Sequence, residues 1–316
     1  MVHARQELYR QIAQKFAPQS KLLRTWDLQG GISAQMTALE LDLPDGRMQK
    51  LVVRCPHPEA LRQNPQAADQ QFRLLQVLAA AGLATPMPFA LDTSGKILAN
   101  PYLVLEYVEG ALDFAPADLD GCLCQMADHL AAIHQLDGSR FDLSFLPRQP
   151  AGCTEAWWGE PAPGEEAFGS ERIRQAMATA RTPAQRYPPV LLHGDYWPGN
   201  VLWRDGRLAV VVDWEDARLG DPLVDLGKSR LEVAWIFGLE AMETFTRHYR
   251  SHMTLDEGDL PYWDLCAAMR LMRIAGPDLA EWAAFFAPFG RPDITEQTMR
   301  ANYASFVGQA LAALVV

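Results

Sequence analysis

The feature that most constrains the fold is a stretch near residue 200 in which polar side chains twice follow short apolar strands. An apolar run at 190–192 leads into a loop that carries Asp195 and Asn200, five residues apart. A second apolar run, 208–212, ends at Asp213. Because strand ends and their turns lie at the edge of a sheet, we expect these polar side chains to lie close together.

These three side chains supply what phosphoryl transfer to a hydroxyl requires. A carboxylate held in a loop accepts the proton of the attacking hydroxyl, and Asp195 suits this role as catalytic base. Mg²⁺ balances the charge on the phosphoryl oxygens and prefers carboxylate and amide oxygens, such as those of Asp213 and Asn200. The spacing is typical of protein-kinase-like enzymes. A purely structural explanation, with Asp and Asn as turn formers, leaves this shared spacing unexplained.

The N-terminal part of the chain predicts a sheet with one helix beside it. Alternating apolar residues at 26–56 and again at 96–108 predict strands, including an expected strand at Ile97-Leu98. Helical periodicity at 66–82 predicts a helix that stops at a glycine. We assign residues 1–108 to an N-terminal nucleotide-binding lobe.

The remainder of the chain predicts a mainly helical lobe around the polar loop. A helix is predicted at 123–136, and four helical stretches are predicted from about Leu231 onward. The segment 147–170 is rich in Pro, Gly and Glu and indicates a loop. We assign 109–316 to a C-terminal catalytic and substrate-binding lobe, which makes the whole chain an α+β protein.

Composition restricts the partners of the chain. The net charge is −11, and residues 111–225 carry 9 Lys and Arg against 18 Asp and Glu. Nucleic-acid binding requires clustered basic side chains, which this pattern does not offer. The five cysteines lack metal-type spacing, and no apolar run reaches the length of a membrane span. We expect a cytoplasmic protein, monomeric or dimeric, that binds a small molecule and neither nucleic acid nor a membrane.

The polar loop and its flanking motifs resemble a known family, the aminoglycoside phosphotransferase and choline kinase family. The resemblance implies a bilobal protein-kinase-like fold that transfers the γ-phosphate of ATP or GTP to a hydroxyl of a small molecule, with Mg²⁺ as cofactor. It covers roughly residues 20–230. The motifs that carry it are His193-Gly194-Asp195 with Asn200, Val212-Asp213-Trp214-Glu215, Gly220–Leu226, Ala131–His134 and Pro101–Gly110.

The same resemblance assigns the nucleotide to residues of the N-terminal lobe. The turn Gly30-Gly31-Ile32-Ser33 would lie over the phosphates, since glycine permits a close approach of the backbone. Arg54 occupies the family's cationic position, where it would contact the α- and β-phosphates. The carbonyl of Glu106 and the amide of Val108 would pair with the edge of the purine. Gly30, Gly31, Ser33, Arg54, Glu106 and Val108 are therefore the candidate nucleotide-binding residues.

One position departs from the family pattern. Many relatives pair the cation with a helix glutamate, but Gln71 stands at that place here. A glutamine side chain can accept a hydrogen bond from Arg54 but cannot neutralise its charge. This leaves open a second hypothesis, a catalytically weak nucleotide-binding regulatory protein of the same fold. A third hypothesis, a metal-dependent hydrolase using His193, Asp195 and Asp213, also stays open.

Several other polar residues near the loop are assigned structural roles. His193 is expected to support the loop, and His134 to lie in the core of its helix. Asp221 is expected in a turn, and Asp225 is expected to cap a helix that begins near Leu226.

The identity of the acceptor is not encoded in a recognisable motif. An aminoglycoside, choline, homoserine, a sugar and a hydroxyacyl thioester all fit the resemblance. A cationic acceptor would require converging carboxylates or an aromatic box. The polar and aromatic candidates for acceptor binding are Trp157-Trp158, Glu232, Trp235, Asp264 and Trp282.

Overall fold

The chain forms two compact units, Met1–Glu109 and Gly110–Val316. The computed structural model describes residues 2–28, 34–150, 152–153, 164–183, 188–276 and 278–314. The predicted α+β class is confirmed, with an antiparallel sheet in the first unit and mainly helices in the second. The predicted lobe boundary lies one residue from the division between the units.

The sheet of the first unit has five antiparallel strands. They are β1 Lys21–Asp27, β2 Ala34–Asp42, β3 Met48–Pro56, β4 Pro88–Asp92 and β5 Tyr102–Glu106. Their order across the sheet is β1-β2-β3-β5-β4, so β3 lies at the centre. The turn from β2 to β3 passes through Gly46, whose φ of 79° lies in the left-handed region that glycine adopts without strain.

Helices cover both faces of this sheet. The helices of the first unit are α1 Val2–Phe16, α2 Pro58–Gln63 and α3 Ala67–Ala80. Side chains two residues apart point to the same face of a strand, and one such set packs with α1 in a buried cluster: Tyr9, Ile12, Ala13, Leu39, Leu41, Leu51, Val53, Tyr102 and Val104. Arg54 lies in the alternate register and reaches Gln71 of α3.

The strands of this unit differ from the prediction in two places. Residues 97–98 do not form a strand, and the strand at Pro88–Asp92 was not predicted. The strand at 88–92 was not predicted because it begins with a proline, which cannot donate a backbone hydrogen bond to a neighbouring strand and therefore argues against a strand. The strand forms because β4 is an edge strand, where proline is tolerated.

The second unit combines two short strand pairs with a helical bundle. Its strands are β6 Val190–Leu192, β7 Val201–Arg204, β8 Arg207–Val211 and β9 Arg218–Gly220. β6 pairs with β9 and β7 with β8, both antiparallel. Its helices are α4 Leu119–His134, α5 Ser170–Thr179, α6 Pro222–Phe237, α7 Leu239–His252, α8 Leu260–Ala275, α9 Ala280–Phe286 and α10 Glu296–Ala313. Within the described ranges, every helix is too short or too polar to cross a bilayer.

α6 is the central helix of the second unit. Its residues are buried from Pro222 to Ile236, and it packs against α7, α8 and α10. At Gly227 the backbone of α8 approaches so closely that an added Cβ would lie 3.0 Å from the carbonyl carbon of Trp263. The helix begins at Pro222, before the predicted start near Leu226, because Asp221 caps it and accepts a hydrogen bond from the Leu223 amide at 2.9 Å.

Candidate active site

The loop between β6 and β7 holds Asp195 through Asn200. The Asn200 side chain is buried, and its Nδ2 donates to the Asp195 backbone carbonyl at 2.8 Å and to Asp195 Oδ2 at 2.9 Å. The Asp195 side chain is 27% exposed, so it remains accessible to a bound molecule. Both hydrogen bonds use the amide nitrogen of Asn200, which makes its Oδ1 the atom suited to binding a cation.

The second oxygen of Asp195 faces two cations. Lys228 Nζ of α6 lies 2.9 Å from Asp195 Oδ1, and Arg270 Nη2 of α8 lies 3.9 Å from the same atom. Burial alone would raise the pKa of Asp195, but the charge and hydrogen bond of Lys228, and then Arg270, hold it below its ordinary value. Asp195 is therefore a carboxylate at neutral pH and is able to accept a proton.

Asp225 fixes the backbone at the start of this loop. Its carboxylate accepts hydrogen bonds from the amides of His193 at 2.6 Å and Gly194 at 2.9 Å. His134 Nε2 lies 3.4 Å from the same carboxylate. Burial opposes ionisation of Asp225, but the hydrogen bonds from the His134 side chain and from the His193 amide keep its pKa below the ordinary value. The expectation that Asp225 caps a helix was wrong, since it lies inside α6 and supports the loop.

His193 is held inside the protein by both ring nitrogens. Nε2 donates to the Val212 carbonyl at 3.0 Å, and Nδ1 accepts from the Asp195 amide at 3.2 Å. These partners require the neutral tautomer with the proton on Nε2. Complete burial lowers the pKa of His193, which favours the same neutral form. These contacts support the structural role predicted for His193, and they occupy the nitrogens that a metal would need.

Asp213 follows β8 in a backbone conformation that is uncommon for a residue other than glycine. Its φ is 65° and its ψ 57°, and the residue is exposed. The neighbouring amide of Val212 donates to the Asn200 carbonyl at 2.9 Å, which joins the end of β8 to the loop. An amide oxygen and a carboxylate are hard oxygen ligands, so Asn200 and Asp213 fit Mg²⁺.

The described residues contain no group of three or more His, Cys, Asp or Glu side chains placed to share a metal ion. A divalent cation held by the Asn200 amide oxygen and the Asp213 carboxylate would have hard oxygen donors, which suit Mg²⁺ rather than zinc.

The candidate nucleotide-binding residues of the first unit are only partly described. Gly30, Gly31 and Ser33 lie outside the described residues. Arg54 Nη1 donates to Gln71 Oε1 at 2.6 Å, and both side chains are buried. Gln71 therefore accepts the one kind of contact with Arg54 that a glutamine side chain allows, a hydrogen bond without charge neutralisation.

The strand that was predicted to run to residue 108 ends two residues earlier, at Glu106. Glu106 is the last residue of β5, and its carboxylate accepts from the Met87 amide at 3.1 Å. Val108 follows the strand and is half-buried.

The candidate acceptor residues have different surroundings. Glu232 Oε1 lies 3.0 Å from Lys228 Nζ. Asp264 pairs with Arg230 at 3.2 Å, and both are buried, so this pair ties α6 to α8. The rings of Trp235 and Trp282 lie 5.7 Å apart. Trp157-Trp158 fall outside the described residues.

Sequence reasoning missed Lys228 and Arg270. Both come from helices far along the chain, so no local spacing connects them to Asp195. One signal existed for the first: Lys228 is the only lysine after Lys96, while the other cationic side chains of that part are arginines and histidines.

Comparisons with known proteins identify the family of the chain. A sequence model of the phosphotransferase enzyme family (APH) matches residues 28–259. Acyl-CoA dehydrogenase family member 11 of Rattus norvegicus is 23% identical over 259 residues, and the match covers 72% of this chain and 33% of that protein. The chain thus spans about a third of the length of this relative. Viomycin phosphotransferase of Streptomyces vinaceus is 30% identical over 162 residues, 46% of this chain and 55% of the relative.

A solved structure shows the same fold. Spectinomycin phosphotransferase in complex with ADP and spectinomycin has a TM-score of 0.63 and 12% identity, covering 97% of this chain and 98% of the other. The predicted kinase-like fold is therefore confirmed, and so is the resemblance to the aminoglycoside phosphotransferases. Since the family model matches well over half of its residues, the chain belongs to the phosphotransferase enzyme family.

Proposed function

We propose that the protein transfers the γ-phosphate of ATP or GTP to a hydroxyl of a small molecule, with Asp195 as the base. The observation that carries this proposal is the ionised, partly exposed Asp195 carboxylate, held by Asn200 on one oxygen and by Lys228 on the other. A base that is fixed before substrate binds lowers the cost of orienting the attacking hydroxyl.

In the proposed reaction, the acceptor oxygen forms a bond to the γ-phosphorus. The bond from that phosphorus to the oxygen bridging the β- and γ-phosphates breaks, and the nucleoside diphosphate leaves with the bonding electrons. The hydroxyl proton passes to the Asp195 carboxylate. When bound, Mg²⁺ supplies positive charge to the phosphate oxygens, and Asn200 Oδ1 and the Asp213 carboxylate would hold it.

The small-molecule nature of the acceptor is supported by the relatives. Viomycin phosphotransferase and the spectinomycin enzyme are named for antibiotics. We propose a hydroxyl acceptor of similar size, and aminoglycosides, choline, homoserine and sugars are the classes to be screened. We also propose that the protein is cytoplasmic.

A second candidate function rests on the contact between Arg54 and Gln71. This contact involves a neutral amide at the place where many relatives have a glutamate. A weakly catalytic protein that binds nucleotide for a regulatory purpose would tolerate such a change.

One experiment separates the candidates. The purified protein is incubated with Mg²⁺-ATP or Mg²⁺-GTP and a panel of alcohols, and diphosphate and phosphorylated acceptor are both measured. Acceptor-dependent formation of both products supports the kinase. Nucleotide binding in a thermal-shift assay without any phosphorylated acceptor supports the regulatory protein. Release of inorganic phosphate that no acceptor increases would support the hydrolase.

A further inference from the structure

Arg270 of α8 contacts two separate segments of the candidate active site. Its Nη1 donates to the Gly194 carbonyl at 2.7 Å, and its Nη2 donates to Asp216 Oδ2 at 2.7 Å. Gly194 is the residue before the candidate base, Asp195. Asp216 lies three residues after Asp213, the candidate Mg²⁺ ligand. One guanidinium group therefore forms a bridge between the segment that carries the base and the segment that carries the metal ligand.

The two segments come very close to each other at this point. A Cβ atom on Gly194 would collide with the carbonyl oxygen of Asp216. Each of these residues has a backbone carbonyl that accepts a hydrogen bond from an arginine. The Gly194 carbonyl accepts from Arg270, and the Asp216 carbonyl accepts from Arg218 Nε at 2.8 Å. Arginine side chains thus hold the segments where their backbones approach each other.

The bridging arginine is presented by a firmly packed helix. α8 packs against α6 and α10, and the buried pair of Asp264 with Arg230 ties it to α6. The Arg270 side chain is 23% exposed, so the surrounding protein encloses most of it. A guanidinium group is planar and directs its N–H donors along fixed directions, which lets it contact two acceptors at once. Arg270 is therefore able to fix the distance between the two segments.

Asp216 is engaged in the bridge through its side chain. Its Oδ2 accepts from Arg270, and its Oδ1 lies 3.3 Å from Arg218 Nη2. Both carboxylate oxygens therefore face cations, and a metal ion bound to them would lie close to two guanidinium charges. The geometry favours a positioning role for Asp216 over a metal-binding one.

We propose that Arg270, together with Asp216, is a positioning residue that fixes Asp195 relative to Asp213. The inference rests on the proposed phosphotransfer, in which the base must meet the attacking hydroxyl in line with the phosphate that Mg²⁺ holds. Arg270 exchanges no proton in this role, because it acts through the backbone of Gly194 and the side chain of Asp216.

The test compares three substitutions on α8 by steady-state kinetics with the best acceptor. Arg270→Met removes both contacts, and we expect kcat to fall by a factor on the order of ten to a hundred, as for a misplacement of about 1 Å. The KM of the acceptor should change by roughly threefold or less. Arg270→Lys keeps the charge but not the fork of donors, so it should recover little of the loss. Arg273→Met, at an exposed position on the same helix, should behave as the wild type.

Three results would overturn the proposal. A wild-type kcat in Arg270→Met would show that the bridge is not needed. A loss confined to the KM of the acceptor would make Arg270 a substrate-binding residue, since misalignment of the base acts on kcat. Full recovery by Arg270→Lys would mean that positive charge, and not the contact with two acceptors, is required.

A second variant keeps the proposal testable if Arg270→Met destabilises the fold. The Asp216 side chain is 39% exposed, so Asp216→Ala removes one end of the bridge with little effect on packing. We expect Asp216→Ala to lower kcat as well. The double variant should lose no more than Arg270→Met alone, because both changes break the same bridge. A wild-type kcat in Asp216→Ala, or losses that multiply in the double variant, would refute the joint role.

The bridge also predicts a change in metal binding that requires no turnover. ADP binding is measured by calorimetry with and without Mg²⁺, and the affinity gained with Mg²⁺ reports on the metal site. The gain should be smaller in Arg270→Met and Asp216→Ala than in the wild type, because Asp213 is no longer held in a fixed place before the metal binds. Arg273→Met should show the wild-type gain.

Failure of this proposal and failure of the proposed function give different results. If the wild-type protein phosphorylates no acceptor, the phosphotransfer proposal fails, and the calorimetry with ADP still decides on Arg270. An equal gain from Mg²⁺ in the wild type and in Arg270→Met would then refute the positioning role.

Discussion

Asp195 differs from an ordinary loop carboxylate because the protein engages both of its oxygens. Asp195→Asn keeps the shape of the side chain but removes its capacity to accept a proton. We expect kcat to fall by a factor on the order of 10²–10⁴, with a melting temperature close to that of the wild type. Steady-state kinetics with the best acceptor measure this loss. A variant with the wild-type rate would show that another group accepts the proton.

Asp213 allows a test in which metal binding is separated from stability. Asparagine tolerates the left-handed backbone that Asp213 adopts, so Asp213→Asn should fold while losing the charge that attracts Mg²⁺. We expect Mg²⁺-dependent turnover to fall at least a hundredfold, or the Mg²⁺ concentration for half-maximal rate to rise strongly.

The matched control for this change is Asp205→Asn. Asp205 is exposed in the turn after β7, and its φ of 52° is also left-handed. The control should retain wild-type turnover and Mg²⁺ dependence. Equal effects of the two substitutions would argue against a metal role for Asp213.

At the scale of single elements, β3 and α3 are joined by the hydrogen bond from Arg54 to Gln71. Gln71→Glu would convert this hydrogen bond into a charge-assisted pair. We expect turnover equal to or higher than that of the wild type, together with unchanged or tighter nucleotide binding. Gln70→Glu is the matched control, because Gln70 lies next to it on α3 and accepts from Asn64 instead. A large loss of activity in Gln71→Glu alone would contradict the assigned position of α3 relative to the nucleotide.

Elements were predictable where local signals dominate. The loop with Asp195 and Asn200 follows from residue types and spacing, and the structure contains it. The start of α6 was misplaced because the helix is buried on all sides and its first turns mix polar with apolar residues. A helix of this kind has no separate polar and apolar faces, so its sequence shows only a weak helical period. β4 was missed because a proline at the edge of a sheet is indistinguishable in sequence from one in a loop.

At the scale of the whole molecule, the sequence identified the residues of one loop but not the groups that act on them. Lys228 and Arg270 reach Asp195 because α6 and α8 pack closely past Gly227, a tertiary arrangement with no local periodicity. The same holds for Asp225, whose proximity to the loop depends on the packing of α6 under β6. Long-range packing thus determines the electrostatics of the candidate site, whereas the local sequence determines which residue types the loop presents.

Stability of the whole chain against acid should depend measurably on Asp225. Its folded-state pKa lies below the ordinary carboxyl value of about 4, while in the unfolded chain the pKa returns to that value. The unfolded state therefore binds the proton more readily. The stabilisation is fully present above about pH 4 and is lost as the pH falls through the folded-state pKa.

Asp225→Asn tests this linkage, because the amide resembles a carboxyl group that is already neutral. At pH 7 we expect the free energy of unfolding to fall by about 1.5–3 kcal/mol relative to the wild type, the range for hydrogen bonds to a charged group. The difference should shrink as urea unfolding is repeated at decreasing pH below about 4, since the wild-type carboxylate becomes protonated. Asp205→Asn, at an exposed position, should show almost no difference at any pH. A deficit in Asp225→Asn that stays constant across this range would mean that Asp225 contributes through its shape and not its charge.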